Sequence, residues 1–293
     1  MDKVALVTGG NRGIGYAIVK RLCKEFNGVV LFTATHENTG AKVCGELSKE
    51  LSATNIQFHQ LDITSQKSID KLQAHVQEKF GGLDVLINNA AVLAKKTEPY
   101  AERAETTVKV NFFGTLDMCK SFFPLLRPHA RVVNVSSSKN GRLSCVSPSL
   151  QKQFISPTLT TAEIVSLMEK YVSDCKEGKV AENGWPDDNS MDIDGPRGNS
   201  LSLLLMVVVL DLSSEYNVSK IGVTTLSMAQ AREFKHDQRE GILVNAVCPG
   251  WVRTDMGGGD ADLSPDEDGA NFLRFVLYER SVSVAPYSCQ RQD

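Results

Sequence analysis

Tyr216 and Lys220 stand four residues apart in Tyr-Asn-Val-Ser-Lys, a spacing that puts both side chains on one face of a helix. A lysine cation near a phenol lowers the phenol's pKa, which suits it to give and take a proton near neutral pH. A serine hydroxyl can hold a carbonyl oxygen beside that phenol, and Ser137, just past an apolar run at 132–135, is the candidate. A second chemical signal is Val-Ala-Leu-Val-Thr-Gly-Gly-Asn-Arg-Gly-Ile-Gly at 4–15. A strand that turns through glycines into a helix leaves backbone N–H groups uncovered at the helix start, and these, with the helix dipole, bind phosphate. Gly9, Gly13 and Gly15 allow a pyrophosphate to reach the backbone and the helix to lie close to its sheet. The spacing is one residue longer than the usual dinucleotide fingerprint. Each motif alone also fits a blander reading, a solvated helix face or an ordinary glycine turn.

Both motifs need a scaffold. Apolar runs at 4–7, 29–32, 56–58, 85–87 and 132–135 alternate with helical patterns such as Ile69, Leu72, Val76 and Phe80. That alternation predicts a doubly wound, Rossmann-type α/β fold with a parallel sheet. Ligands in such folds bind at the carboxyl ends of the strands, where Thr8, Asp62, Asn88 and Ser136-Ser137 fall. Thr160 with Glu163 reads as a capping box. The stripe Ile164, Leu167, Met168, Tyr171, Val172 and Cys175, ending at Gly178, predicts an inserted helix over 160–178. A helix from about 216 to 233 and a strand at 242–247 resume the pattern.

The whole chain, 1–293, reads as one catalytic domain with two atypical segments. Residues 188–214 contain a polar, glycine-bearing stretch and then the apolar run 201–210; that run is too short for a bilayer, which takes about 20 residues. Residues 271–293 lose clear periodicity. A formal net charge of −3 excludes the basic footprint of a nucleic-acid binder. Seven cysteines without CxxC spacing, and no signal-peptide pattern, predict reduced thiols in the cytoplasm. Five scattered histidines suggest no metal site.

Six motifs in order then carry a resemblance: Thr8-Gly9-x-x-x-Gly13-x-Gly15, Asn88-Asn89-Ala90, Asn111, Ser136-Ser137, Tyr216-x-x-x-Lys220 and Pro249-Gly250. Together they resemble the short-chain dehydrogenase/reductase family, over most of residues 3–256. Phe-His-Gln-Leu-Asp-Ile at 58–63, Asn-Phe-Phe-Gly at 111–114, Gly-Trp-Pro at 184–186 and Cys-Pro-Gly-Trp-Val-Arg-Thr-Asp-Met at 248–256 narrow the likeness to its monomeric cytosolic carbonyl reductases. The resemblance implies NADPH-dependent reduction of aldehydes, ketones or quinones. In it Tyr216 would be the general acid, Lys220 would bind the nicotinamide ribose, Ser137 would orient the substrate carbonyl, and Asn111 would support a water linking Lys220 to solvent. Gly9, Asn11, Arg12, Gly13, Ile14, Gly15, Asp62, Ile63, Asn88, Tyr216, Lys220, Pro249 and Val252 would contact NADP(H), with Asp62 on the adenine. Trp251 would wall an apolar substrate. A small-molecule carbonyl partner, a monomer, and neither nucleic acid nor membrane are implied with it.

Cofactor choice turns on the end of the second strand, Thr33-Ala34-Thr35-His36, which lacks the acid expected for NAD. Arg12 is suited to a 2′-phosphate, but Thr35 stands where these reductases carry an arginine. The expectation is a preference for NADP(H) weaker than the family's norm. The family also places only a few residues between Trp-Pro and the tyrosine, whereas Pro186 and Tyr216 here are far apart. The alternative is therefore a catalytically impaired cofactor-binding relative, the two atypical segments being splice or gene-model features.

Overall fold

Val4–Val7, four fully buried residues, form the central strand β1. In this computed structural model the described residues are 2–137, 140–188, 213–259, 261 and 263–265. Strands β2 (Val29–Ala34), β3 (Ile56–Gln60), β4 (Leu83–Asn88), β5 (Leu126–Val135) and β6 (Leu243–Val247) join β1 in a parallel sheet of order β3-β2-β1-β4-β5-β6. The order reverses between β1 and β4, which opens a crevice at their carboxyl ends. Helices α1 (Gly13–Glu25) and α2 (Glu37–Leu51) cover one face through Ile18, Leu22, Val43 and Leu47. Helices α3 (Gln66–Phe80) and α5 (Thr115–Phe122) cover the other through Ile69, Leu72, Met118 and Phe122.

Helix α4 (Tyr100–Val108) runs into a π-helical turn, Lys109–Gly114, before α5. Such turns widen the helix locally and mark functional positions; this one carries Asn111. After β5 come a short helix α6 (Pro148–Phe154) and α7 (Thr161–Glu177). The inserted helix is where the capping box places it. Thr160 Oγ1 accepts from the Glu163 N–H at 3.3 Å, Glu163 Oε2 accepts from the Thr160 N–H at 2.8 Å, and Gly178 closes the helix at φ +70°. Ile164, Met168, Tyr171 and Cys175 bury against a third cluster that includes Ala104, Val108 and Phe112. Asp174 holds the following turn, accepting from Trp185 Nε1 at 2.8 Å.

Helix α8 (Ser214–Glu233) begins two residues before the expected start at Tyr216. Every residue from Ser214 to Val223 is buried, because α8 lies between β6 on one side and α4 and α7 on the other. The apolar run at 201–210 and the tail from 271 lie outside the described residues. Among the described residues no helix is long and apolar enough to cross a membrane. Six of the cysteines are free thiols, and burial pushes Cys119 up to about 12 and Cys175 up to about 11, as expected of core packing rather than chemistry.

Candidate active site

A cleft of about 510 Å³ opens at the carboxyl ends of the central strands, lined by the glycine loop, residues 33–36, 61–64 and 89–92, Tyr216 and Lys220. At its floor the first turn of α1 has no side-chain cap: the side chain of Arg12, the N-cap, makes no hydrogen bond to it, and no acidic residue sits in it. Gly9 turns the chain at φ +65°. A Cβ on Gly15 would collide with the Gly9 carbonyl oxygen and sit 2.5 Å from Asn89 Nδ2. The loop is thus closed to side chains and presents bare N–H groups, which fits a pyrophosphate. Asn89 fixes it, donating to the carbonyls of Thr8 at 2.9 Å and Gly9 at 3.1 Å, while Thr8 Oγ1 accepts from the Asn89 and Ala90 N–H groups.

The helix spacing brings Tyr216 and Lys220 together. Lys220 Nζ lies 5.6 Å from the Tyr216 ring centre and donates to the Val135 carbonyl at 2.7 Å. Burial pushes the Lys220 ammonium down to about 8, with the nearby Cys248 opposing the fall. Ser136 lines the cleft but spends its hydroxyl on Thr224 Oγ1, 2.6 Å away, and the Lys220 carbonyl, 3.2 Å away. Ser137 follows it, half-buried, just past β5 and outside the cleft lining. Asn111 is fully buried. Its amide clamps Val92, accepting from the N–H at 2.8 Å and donating to the carbonyl at 3.0 Å, and donates to Ser219 Oγ at 3.1 Å.

Gly9, Asn11, Arg12, Gly13, Ile14, Gly15, Asp62, Ile63 and Pro249 all line the cleft. Asp62 is held by Thr64, whose N–H and hydroxyl donate to Oδ1 at 2.9 and 2.8 Å. Thr35 and His36 stand at the end of β2, and Arg12 Nη1 lies 3.2 Å from Asp255 Oδ2, both side chains largely exposed.

Besides Ser137 and Asn111, three more expected residues, Asn88, Val252 and Trp251, do not line this cleft. Asn88 is buried and donates to Asn134 Oδ1 at 2.8 Å; because successive strand residues face opposite sides, the place at the cleft falls to the half-buried Asn89. Val252 is buried in a bridge to Leu263, flanked by the Arg253 N–H to Leu263 carbonyl bond at 2.9 Å. Trp251 turns back on its own loop, donating to the Gly257 carbonyl at 2.8 Å. With 251–253 pinned this way, Thr254, Asp255 and Met256 reach the cleft instead. Their signal in the sequence was their place in the 248–256 stretch that carries the family resemblance. Asn89 had a sharper one, since it sits inside Asn88-Asn89-Ala90. Among the described residues no three metal-ligating side chains come together.

Residues 3–147 match the family model for short chain dehydrogenase. Carbonyl reductase (NADPH) 1 of Rattus norvegicus is 44% identical over 268 residues, covering 90% of this chain and 87% of that protein. The Homo sapiens protein of the same name is 45% identical over 269 residues, again with 90% and 87% covered. Among solved structures, salutaridine reductase from Papaver somniferum is similar with a TM-score of 0.79 at 26% identity, over 96% of this chain and 98% of that one. With the glycine loop, the Tyr-Lys helix and the sheet order all in place, the chain belongs to the short-chain dehydrogenase family.

Proposed function

We propose that the protein is an NADPH-dependent carbonyl reductase that converts aldehydes, ketones or quinones to alcohols. The observation that carries the reading is the placement of Tyr216 and Lys220 on one wall of the cleft whose floor is the uncapped start of α1. NADPH, when bound, supplies a hydride. Its pyrophosphate would lie on the N–H groups of 13–15, its adenine near Asp62 and Ile63, and its 2′-phosphate near Arg12. Lys220 would bind the nicotinamide ribose. Its buried cation also favours the phenolate of Tyr216, so the phenol releases its proton to the substrate oxygen as that oxygen gains charge. Ser137 would orient the carbonyl, since the hydroxyl of Ser136 is already held by Thr224 and the Lys220 carbonyl. Asn111, locked to Val92, would hold a water beside Lys220.

An impaired relative is disfavoured by the base of the inserted segment. Ser214 Oγ donates to the Asp187 carbonyl at 2.6 Å, so the chain leaves and re-enters at one point and α8 keeps its place. The same reading takes the protein to act in the cytoplasm as a monomer. For the monomer, the supporting observation is that α7 covers the apolar residues of α4 and the π turn, which leaves that surface unavailable to a second copy. The test is NADPH oxidation at 340 nm with quinones and aldehydes, beside Tyr216→Phe. Turnover that vanishes in the variant supports the reading; turnover that persists, or none in the parent protein, overturns it.

A further inference from the structure

Next to Tyr216 lies a charge cluster, buried at Arg103 and Glu215 and half-exposed at Asp188, that no step above uses. Arg103, on α4, is 2% exposed, and Glu215 is fully buried. Arg103 Nε forms an ion pair with Glu215 Oε1 at 3.4 Å that is not a hydrogen bond, while Nη2 donates to Asp188 Oδ1. The guanidinium also stands 5.4 Å from the Tyr100 ring centre. One buried cation therefore faces two carboxylates. Glu215 is the acidic residue in the first turn of α8, where the positive end of the helix dipole favours a carboxylate.

Asp188 and Glu215 belong to opposite sides of the inserted segment. Among the described residues Arg103 is the one side chain joined to both, and the Ser214–Asp187 hydrogen bond lies beside it. Helix α4 then leads into the π turn that holds Asn111. A helix start is where fraying concentrates, since its first N–H groups lack intrahelical partners. Tyr216 is in that first turn.

We propose that Arg103 is a positioning residue for the reaction: by gripping Glu215 and Asp188 at once, it fixes the first turn of α8, and with it the Tyr216 phenol, across the inserted segment. This rests on the reductase reading. A displacement of about an ångström costs about 100-fold in rate, so the grip acts chiefly on the chemical step, because apart from Lys220 the residues proposed for NADPH lie on the glycine loop and at the strand ends.

The test compares Arg103→Met, Arg103→Lys and the double variant Arg103→Met/Glu215→Met with the parent protein. Steady-state kinetics, NADPH titration and hydrogen exchange are read on each. In Arg103→Met, kcat falls by at least about tenfold, the NADPH dissociation constant stays within about threefold, and amide exchange accelerates over 214–218. Arg103→Lys restores part of kcat, since a single ammonium can still meet one carboxylate. The double variant has no unpaired buried charge at the pair, so it recovers thermal stability, yet it stays slow. Unchanged kcat with unchanged exchange in Arg103→Met, or full recovery of kcat in the double variant, overturns the proposal. If Arg103→Met does not fold, the other two variants decide. If the parent protein turns over no carbonyl, the reductase reading falls, and exchange over 214–218 alone decides whether Arg103 holds the turn.

Discussion

Lys220 Nζ sits 5.6 Å from the centre of the Tyr216 ring while donating to the Val135 carbonyl at 2.7 Å. One ammonium thereby ties α8 to the end of β5 and stands beside the phenol. A buried cation with, among the described residues, a single neutral acceptor is an unstable arrangement for the folded chain on its own, and its titration carries the first prediction.

Burial lowers Lys220 from 10.5 to about 8. Between those values the unfolded chain holds a proton that the folded chain has released, so stability rises with pH through that window. Below about 8 both states are protonated and the full burial penalty applies. The cofactor-free protein should gain on the order of 3 kcal/mol between pH 8 and 10.5 relative to Lys220→Met, at about 1.4 kcal/mol per unit. Urea melts of both proteins at a series of pH values measure this. Parallel curves would refute it.

Tyr216→Phe keeps the ring and removes the proton. Turnover should fall by about 10²- to 10⁴-fold, the usual contribution of a positioned general acid. NADPH should still bind with near-unchanged affinity, read by quenching of tryptophan fluorescence.

Gly15→Ala pushes a methyl into the Gly9 carbonyl and against Asn89 Nδ2. Overpacking of this kind costs about 1–3 kcal/mol, and the shifted loop should also weaken NADPH. Thermal melts and a cofactor titration check both effects, and an unchanged NADPH affinity would mean that the loop is not the phosphate site.

Arg12→Ala tests the 2′-phosphate. Hydrogen bonds to charged groups contribute about 1.5–3 kcal/mol, discounted here because Arg12 is largely exposed, so NADPH affinity should fall by about tenfold. NADH affinity should hardly move. An equal loss for both cofactors would place the phosphate elsewhere.

Asp174→Ala strips the inserted helix of its closing contacts. The carboxylate accepts from Trp185 Nε1 at 2.8 Å, Lys170 Nζ at 2.7 Å and Asn183 Nδ2 at 2.9 Å. Leaving the buried indole N–H without its acceptor costs about 1–3 kcal/mol, so the melting temperature should drop. Size-exclusion chromatography of the same variant would show association if α7 no longer covers α4.

Much of this protein was legible in the chain because its decisive signals are local. A glycine that must lie against a carbonyl, a tyrosine one helical turn from a lysine, and a Thr160–Glu163 capping box depend only on neighbours in sequence. Strand and helix periodicity likewise led to the doubly wound sheet, and the inserted helix fell at its expected place. What only the tertiary structure decided depends on which way a side chain turns once distant segments pack. Asn88 and Asn89 are equivalent in sequence, yet Asn134 across the sheet draws one inward and Thr8 and Gly9 hold the other at the cleft. Trp251 and Val252 are claimed by Gly257 and Leu263, which leaves the cleft to Met256. Arg103 carried no motif at all. Its meaning comes from Glu215, more than a hundred residues away, brought beside it when α8 sinks between the sheet and α4.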